Sequence, residues 1–228
     1  MTPKRYKIFP LGDAALTVEF GNVISEPLNR LAISVANFIT QLGIPGIIET
    51  VPAYASATVY YDPIAIRRSH REAKSAFEAV ASIVRSAIET GDQTPDGVSE
   101  PIEIQVDFSE AVGLDLHLVA EVNQISIEEV ITLFTSQIYR VYMIGFLPGF
   151  AYMGEIDQRI ATPRKEVPRV TVPAGSVGIA CRQTGIYSLP SPGGWQIIGR
   201  TDVQLFRLDR REPCLLKPGD CVRFVPVK

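Results

Sequence analysis

Glycine and proline divide the second half of this 228-residue chain into short segments, and this spacing constrains the fold more than any other sequence feature. Beyond Gly145 no stretch shows the 3.6-residue apolar periodicity of a helix. The segments rich in β-branched and apolar residues are 170–173, 177–181, 195–198, 203–208 and 221–225. Many short strands separated by frequent turns are typical of a β-sandwich or a β-barrel.

The stretch from residue 100 to Gly145 is mixed. Alternating residues predict a strand at 101–108, and Asp115 is predicted to cap a short helix. A capping box at 126–129 predicts a helix to about Thr135. A strand is predicted to follow it at 139–144.

The first ~90 residues have the pattern of a small α/β unit. The predicted elements are a strand at 15–20, a helix at 28–42 capped by Ser25, strands at 46–51 and 55–61 separated by Pro52-Ala53, and a helix opened by a capping box at 69–72. This order predicts a two-layer sandwich with helices on one face of the sheet.

Residues 90–99 contain turn formers and no apolar periodicity, which predicts a linker. We therefore expect two domains, at 1–92 and 100–228. The predicted class is α+β, with a small N-terminal α/β sandwich followed by a β-rich domain.

Charge argues against nucleic acid as a partner, because the net charge is −3. Residues 140–228 nevertheless carry 13 basic and 7 acidic side chains, and ten of the basic ones are arginine. Such a segment suits recognition of carboxylate or phosphate, although a solvated basic surface would have the same composition. No apolar run approaches the ~20 residues of a membrane span, and no apolar region follows the basic N-terminus, so we expect a cytoplasmic protein.

Several standard sites are not predicted. The three cysteines form no CxxC pair and are expected to be buried and inert, and no metal or organic cofactor is expected on this chain. No Gly-Lys pair exists, so a Walker-type phosphate loop is excluded. Ser176 lies in a run similar to a nucleophile elbow, but no histidine follows it, and a turn between strands is the better interpretation.

Three clusters carry candidate chemistry: 145–154, 163–176 and 183–201. Glycine allows sharp turns, aromatic rings form apolar walls, and proline stiffens the backbone that carries arginine. The candidate pocket or interface residues are Phe146, Pro148, Phe150, Tyr152, Ser176, Gly193, Gly194 and Trp195. The alternatives are an aromatic-filled turn, a surface loop with incidental arginines, and a tryptophan that plugs a barrel.

The chain resembles the family called allophanate hydrolase subunit 1 or Kip inhibitor, and many members of that family are described as the B subunit of 5-oxoprolinase. The resemblance is carried by three runs taken together, GFLPGFAYMG, TPRKEVPRVTVPAGSVGIA and QTGIYSLPSPGGWQIIGRT. The resemblance is dense over 113–224 and looser in the N-terminal part. It implies a cyclophilin-like β-barrel behind the small α/β domain.

The resemblance also implies a function and partners. The complex would convert 5-oxo-L-proline to L-glutamate with ATP as co-substrate, and this chain would act only with an A-type subunit and a homologous C-type subunit (Kip antagonist, or allophanate hydrolase subunit 2 type). Arg164, Arg169 and Arg200 match the family's motif arginines and are candidates for binding substrate. Gln183 and Tyr187 are candidate hydrogen-bonding groups.

The chain departs from the family pattern at several positions. Phe134-Thr135 stands where members usually have His-Ser or His-Thr, and Cys181-Arg182 stands near a usual Gly-Gly. If the family histidine is catalytic, Phe134 marks a divergent paralogue; if it only packs, phenylalanine is a tolerable replacement.

Three other functions are considered. A binding protein that inhibits a sensor histidine kinase is the main alternative, and it would use an apolar surface near 146–152. The second is a carboxyltransferase or allophanate-type role in urea metabolism. The third is prolyl isomerisation, which rests on fold analogy alone.

Overall fold

The computed structural model describes residues 6–90 and 100–227. These two ranges form separate compact units. The predicted linker at 90–99 lies outside the described residues from residue 91 onward, so the domain boundary remains a prediction. Within the two described ranges, no helix combines the length and the apolar character that a membrane crossing requires.

The first unit is a four-stranded antiparallel sheet covered by helices. In chain order its elements are β1 (Lys7–Pro10), β2 (Ala15–Glu19), α1 (Glu26–Gln41), β3 (Ile47–Ala53), β4 (Ser56–Tyr61), α2 (Pro63–Ser69) and α3 (Ala76–Thr90). The strand order is β1-β2-β4-β3, and α1 and α3 pack against the sheet. Alternate residues of β4 (Ala57, Val59 and Tyr61) are buried in that contact, which confirms the predicted two-layer arrangement.

The capping box predicted at 69–72 is wrong. Ser69 is the last residue of α2, and its hydroxyl donates to carbonyls of that helix. Helix α3 begins after Ser75, whose Oγ accepts from the Glu78 N–H at 3.1 Å. The sequence offers two Ser-x-x-Glu boxes six residues apart, and the preceding helix α2, capped by Asp62, occupies the first. The turn between β3 and β4 also differs: Pro52 and Ala53 belong to β3, and the turn consists of Tyr54, at φ +49°, and Ala55.

The second unit contains nine strands and two α-helices. In chain order they are β5 (Ile102–Val106), α4 (Leu116–Asn123), α5 (Ile127–Thr135), β6 (Ile138–Ile144), β7 (Ala151–Gly154), β8 (Arg169–Val172), β9 (Ser176–Ala180), β10 (Gln183–Ile186), β11 (Ser191–Gly193), β12 (Gln196–Arg200) and β13 (Cys221–Pro226). A single 3₁₀ turn follows β7. Strands β8 and β11 pair only with each other.

The other seven strands form one sheet that closes into a barrel. Their order is β12-β9-β10-β7-β6-β13-β5. The edge strands β12 and β5 meet where Asp107 and Arg200 exchange two backbone hydrogen bonds, at 2.8 and 2.9 Å. These hydrogen bonds pair backbone groups that would be exposed at the edges of an open sheet, as the closure of a barrel does. The predicted α+β class with a C-terminal barrel is confirmed.

Some strands of the barrel differ from the sequence pattern. Residues 203–208 do not form a strand. Phe206 forms only an isolated bridge, to Cys214, and Leu205 packs in the barrel core. The sequence pattern missed β1, β7, β10 and β11. The last three are short and contain glycine, so their pairing depends on tertiary contacts rather than on intrinsic propensity.

Candidate functional site

A cleft of about 370 Å³ opens on the barrel unit and brings together most of the candidate residues. The candidates that line it are Phe146, Phe150, Tyr152, Arg164, Gln183, Tyr187, Gly193, Gly194 and Trp195. They come from all three sequence clusters. A cleft with apolar walls and a few polar groups is the usual form of a small-molecule site.

Phe150 is the centre of the aromatic wall. Its buried ring makes edge-to-face contacts with Phe146, Tyr152, Tyr187 and Trp195, at centroid distances of 5.5, 4.8, 5.4 and 5.5 Å. Phe146 has a left-handed backbone, at φ +68°, and 60% of it is exposed at the mouth of the cleft. An exposed aromatic residue in this sparsely populated conformation is typical of functional sites.

Arg164 supplies the positive charge of the cleft. Among the described residues no carboxylate forms an ion pair with it. Its neighbours in the chain are anchored: the Pro163 carbonyl accepts from Gln196 Nε2 at 2.9 Å, and the Lys165 N–H donates to the Gly194 carbonyl at 2.7 Å. The guanidinium is therefore held on a fixed backbone and is available to an anionic ligand.

Two tyrosine hydroxyls complete the polar part of the cleft. Burial raises the pKa of Tyr187 and of Tyr152. The rise is opposed but not reversed, at Tyr187 by the backbone hydrogen bond from Trp195 and then by Arg164, and at Tyr152 by Arg164. Both phenols therefore stay protonated near neutral pH and can donate hydrogen bonds.

Asp115 lies beneath the segment that carries Arg164. Its oxygens accept from both terminal nitrogens of Arg169 at 2.7 Å, from Lys165 Nζ at 3.1 Å and from the Ile197 N–H at 2.7 Å. Burial alone would raise the pKa of this carboxyl, but the hydrogen bonds from Arg169, Ile197 and Lys165 outweigh burial and lower it. Asp115 is the N-cap residue of α4, as predicted, but its side chain makes no cap bond to the helix.

Four candidates lie outside the cleft lining. Arg169 is engaged by Asp115, and Pro148 is in the exposed turn between β6 and β7. Ser176 is buried at the start of β9 opposite Arg200. Arg200 lies at the barrel seam, where its Nε donates to the Ala174 carbonyl at 3.1 Å and where it lines a second, more polar cleft of about 510 Å³.

The sequence pattern missed several residues of the site. Pro168, Ala180, Cys181 and Pro192 also line the cleft. Cys181 is exposed and Cys214 and Cys221 are partly exposed, so the expectation of buried cysteines is wrong. The Cys181 φ of +52° is a conformation that glycine adopts more readily.

Phe134 is remote from this chemistry. Its ring is fully buried, stacked on Phe224 at 4.9 Å and packed against Tyr139 at 5.2 Å. The Tyr139 hydroxyl donates to the Phe134 carbonyl at 2.7 Å. Phenylalanine therefore serves as a core residue at this position.

Gly193 is expected to be essential to the shape of the cleft. A Cβ at this position would overlap the Tyr187 hydroxyl and lie 2.7 Å from Cζ of that buried ring. Gly193→Ala should therefore displace Tyr187 and cost about 1–3 kcal/mol of stability, as overpacking does. The measurement is thermal unfolding followed by the fluorescence of Trp195, the one tryptophan in the sequence.

The neighbouring Gly194 provides a matched control. A Cβ there would meet its nearest atoms at 3.6 Å or more, which is ordinary contact. Gly194→Ala should therefore unfold close to the wild-type temperature. Equal destabilisation by the two substitutions would contradict the steric explanation.

Comparison with known proteins places the chain in a family. The family model for the carboxyltransferase domain, subdomain C and D, matches residues 6–216. The chain is 42% identical to the 5-oxoprolinase B subunit of Bacillus subtilis (strain 168), over 98% of this chain and 93% of that protein. It is 37% identical to the 5-oxoprolinase B subunit of Escherichia coli O157:H7, over 99% and 98%.

A solved structure shares the fold. The crystal structure of TTHA0988 superposes with a TM-score of 0.81 at 35% identity, over 94% of this chain. The chain spans 40% of the length of that protein. From the near full-length similarity to two B subunits and from the matching fold, we conclude that this chain belongs to the family of 5-oxoprolinase B subunits.

Proposed function

We propose that this chain is the B subunit of an ATP-dependent 5-oxoprolinase, which converts 5-oxo-L-proline to L-glutamate together with A-type and C-type subunits. The observation that carries the proposal is identity of 37–42% to two B subunits over nearly the whole of each chain. The proposed location is the cytoplasm, as the sequence predicts.

The aromatic cleft is the proposed substrate site. 5-Oxoproline is a small ring that carries one carboxylate, and the cleft offers aromatic faces beside a single cation without an ion pair among the described residues. In the proposed pose the carboxylate binds Arg164 bidentately and the ring packs against the aromatic wall that contains Trp195 and Tyr152. The Tyr187 hydroxyl and the Gln183 amide would hydrogen-bond to the lactam.

The reaction explains the need for ATP. A five-membered lactam is a resonance-stabilised amide in an unstrained ring, so water opens it slowly. Transfer of the ATP γ-phosphoryl group to the lactam oxygen releases ADP and activates the ring carbon. One water then attacks that carbon, and the ring C–N bond breaks with the nitrogen leaving as the amine. A second water cleaves the resulting acyl phosphate to phosphate and glutamate. Because this sequence lacks a Walker-type loop, the role we assign to this chain is to bind and orient the lactam.

The alternative functions have less support. The relatives of nearly full length are enzyme subunits, which favours this function over kinase inhibition. The family model is named after a carboxyltransferase domain, but the B subunits match this chain from end to end, which favours lactam hydrolysis.

Omission of one subunit at a time tests the proposal. ATP hydrolysis that depends on 5-oxoproline is measured with this chain and its A-type and C-type partners together, and then with each left out. We expect activity only when all three are present. A folded, assembled complex that hydrolyses no ATP in response to 5-oxoproline would exclude the function.

A further inference from the structure

We infer that Asp115 is a positioning residue that holds the 163–169 segment on the barrel and so presents Arg164 to the cleft. The inference rests on the proposed function, because it assigns Arg164 to the substrate. Asp115 does not line the cleft; it acts through residues that flank Arg164.

The connections of Asp115 reach far along the chain. It accepts hydrogen bonds from Lys165 and Arg169 of the arginine segment and from Ile197 of β12, which are separated from it by 50, 54 and 82 positions in the sequence. Only 4% of its side chain is exposed. One carboxylate therefore joins the start of α4, the arginine segment and a barrel strand. The Ile197 N–H that donates to it is two residues past Trp195, so the same carboxylate also fixes the strand beside the aromatic wall.

The division of charge within the segment supports this role. It contains three cations, and Asp115 binds two of them, Lys165 and Arg169, whose side chains are 26% and 24% exposed. Both side chains are partly buried in their contact with Asp115. Arg164, the cation left over, is exposed and lines the cleft. A buried carboxylate that binds two of the three cations thus leaves one guanidinium for the ligand.

Without this carboxylate the segment would lose its fixed position. Asparagine at residue 115 has the same size and can still accept from the Ile197 N–H, but it cannot hold two cations. Arg164 would then have to be ordered when the ligand binds, and that ordering reduces affinity. The expected defect is in binding, so KM should rise while kcat changes little.

A double-mutant cycle in the assembled complex tests the inference. Asp115→Asn should raise the KM for 5-oxoproline about tenfold, the loss expected for a weakened charge-assisted contact. In an Arg164→Ala background the same change should have less than about a twofold effect, because no guanidinium remains to be positioned. Glu166→Gln, which removes an exposed carboxylate from the same segment, is the matched control and should leave KM unchanged.

Amide hydrogen exchange of the full chain gives a readout that does not depend on activity. In Asp115→Asn, peptides covering 163–170 should exchange at least several-fold faster, while peptides of β1–β4 should be unaffected. Arg169→Lys keeps the charge but loses the bidentate contact, and it should show the same pattern if Asp115→Asn folds poorly.

The outcomes separate the two proposals. An equal rise in KM with and without Arg164, or unchanged exchange over 163–170, would overturn the positioning role even if the enzyme is active. An inactive wild-type complex with faster exchange in Asp115→Asn would instead exclude the proposed function and leave the positioning role standing.

Discussion

Replacing Arg164 with alanine is expected to raise the KM for 5-oxo-L-proline by about 10- to 100-fold in the assembled complex. The cleft has aromatic walls, and Arg164 is the arginine that lines it. A hydrogen-bonded contact to a charged group contributes roughly 1.5–3 kcal/mol, and each 1.4 kcal/mol changes an affinity about tenfold. Steady-state kinetics with 5-oxoproline as the varied substrate would measure the effect.

The matched control for this experiment is Arg211→Ala. Arg211 is exposed, and it is outside the cleft lining. Its loss changes the net charge by the same amount, so a similar rise in KM would mean that Arg164 acts through the general field of the protein. A KM for Arg164→Ala equal to that of the wild type would refute the assignment of Arg164 to the substrate.

Replacing Gly175 with alanine is expected to destabilise the barrel by about 2–5 kcal/mol. Gly175 has φ +81°, and a Cβ there would overlap the Thr201 carbonyl oxygen, which is backbone and cannot rotate away. Left-handed backbone costs a non-glycine residue roughly 1–2 kcal/mol, and overpacking adds about 1–3 kcal/mol. The substitution would also strain two hydrogen bonds, from the Gly175 N–H to the Tyr187 carbonyl and from the Thr201 N–H to the Gly175 carbonyl.

Gly12→Ala separates the cost of a left-handed backbone from the cost of steric overlap. Gly12 has a similar φ of +65°, but no atom lies within 4 Å of the position that a Cβ would occupy, so only the conformational cost applies. The first unit, which contains Gly12, should therefore lose about 1–2 kcal/mol of unfolding free energy. Thermal unfolding by circular dichroism, with Trp195 fluorescence reporting the barrel, measures both variants. Equal losses of stability in the two variants would show that the structure removes the overlap with Thr201 without a further loss of free energy.

Local sequence patterns predicted much of the first unit and of the helices. The apolar spacing of α1 and the Ser126 capping box appear in the structure as expected, because a helix is stabilised by contacts three and four residues apart. The same locality explains the error at 69–72. Two neighbouring boxes satisfy the same rule, and only the packing of α2 selects between them.

The members of the candidate site were largely predicted, but their roles were not. Glycine, proline and aromatic clusters identified nine of the cleft residues. They did not show that Arg169 is bound to Asp115 whereas Arg164 faces the cleft, since both are preceded by proline in the same segment. Which of two similar arginines is neutralised depends on a carboxylate 54 positions from Arg169.

By itself the sequence determined the α+β class, the β-rich second half and the residue types available for a site. Only the tertiary structure decided the strand order, the closure at Asp107 and Arg200 and the single cation left over in the cleft. The physical reason is the distance along the sequence between the residues in contact. Periodicity and capping act over a few residues, whereas the barrel closure and the Asp115 contacts join residues 50 to more than 80 positions apart, and no local pattern specifies which of them will meet.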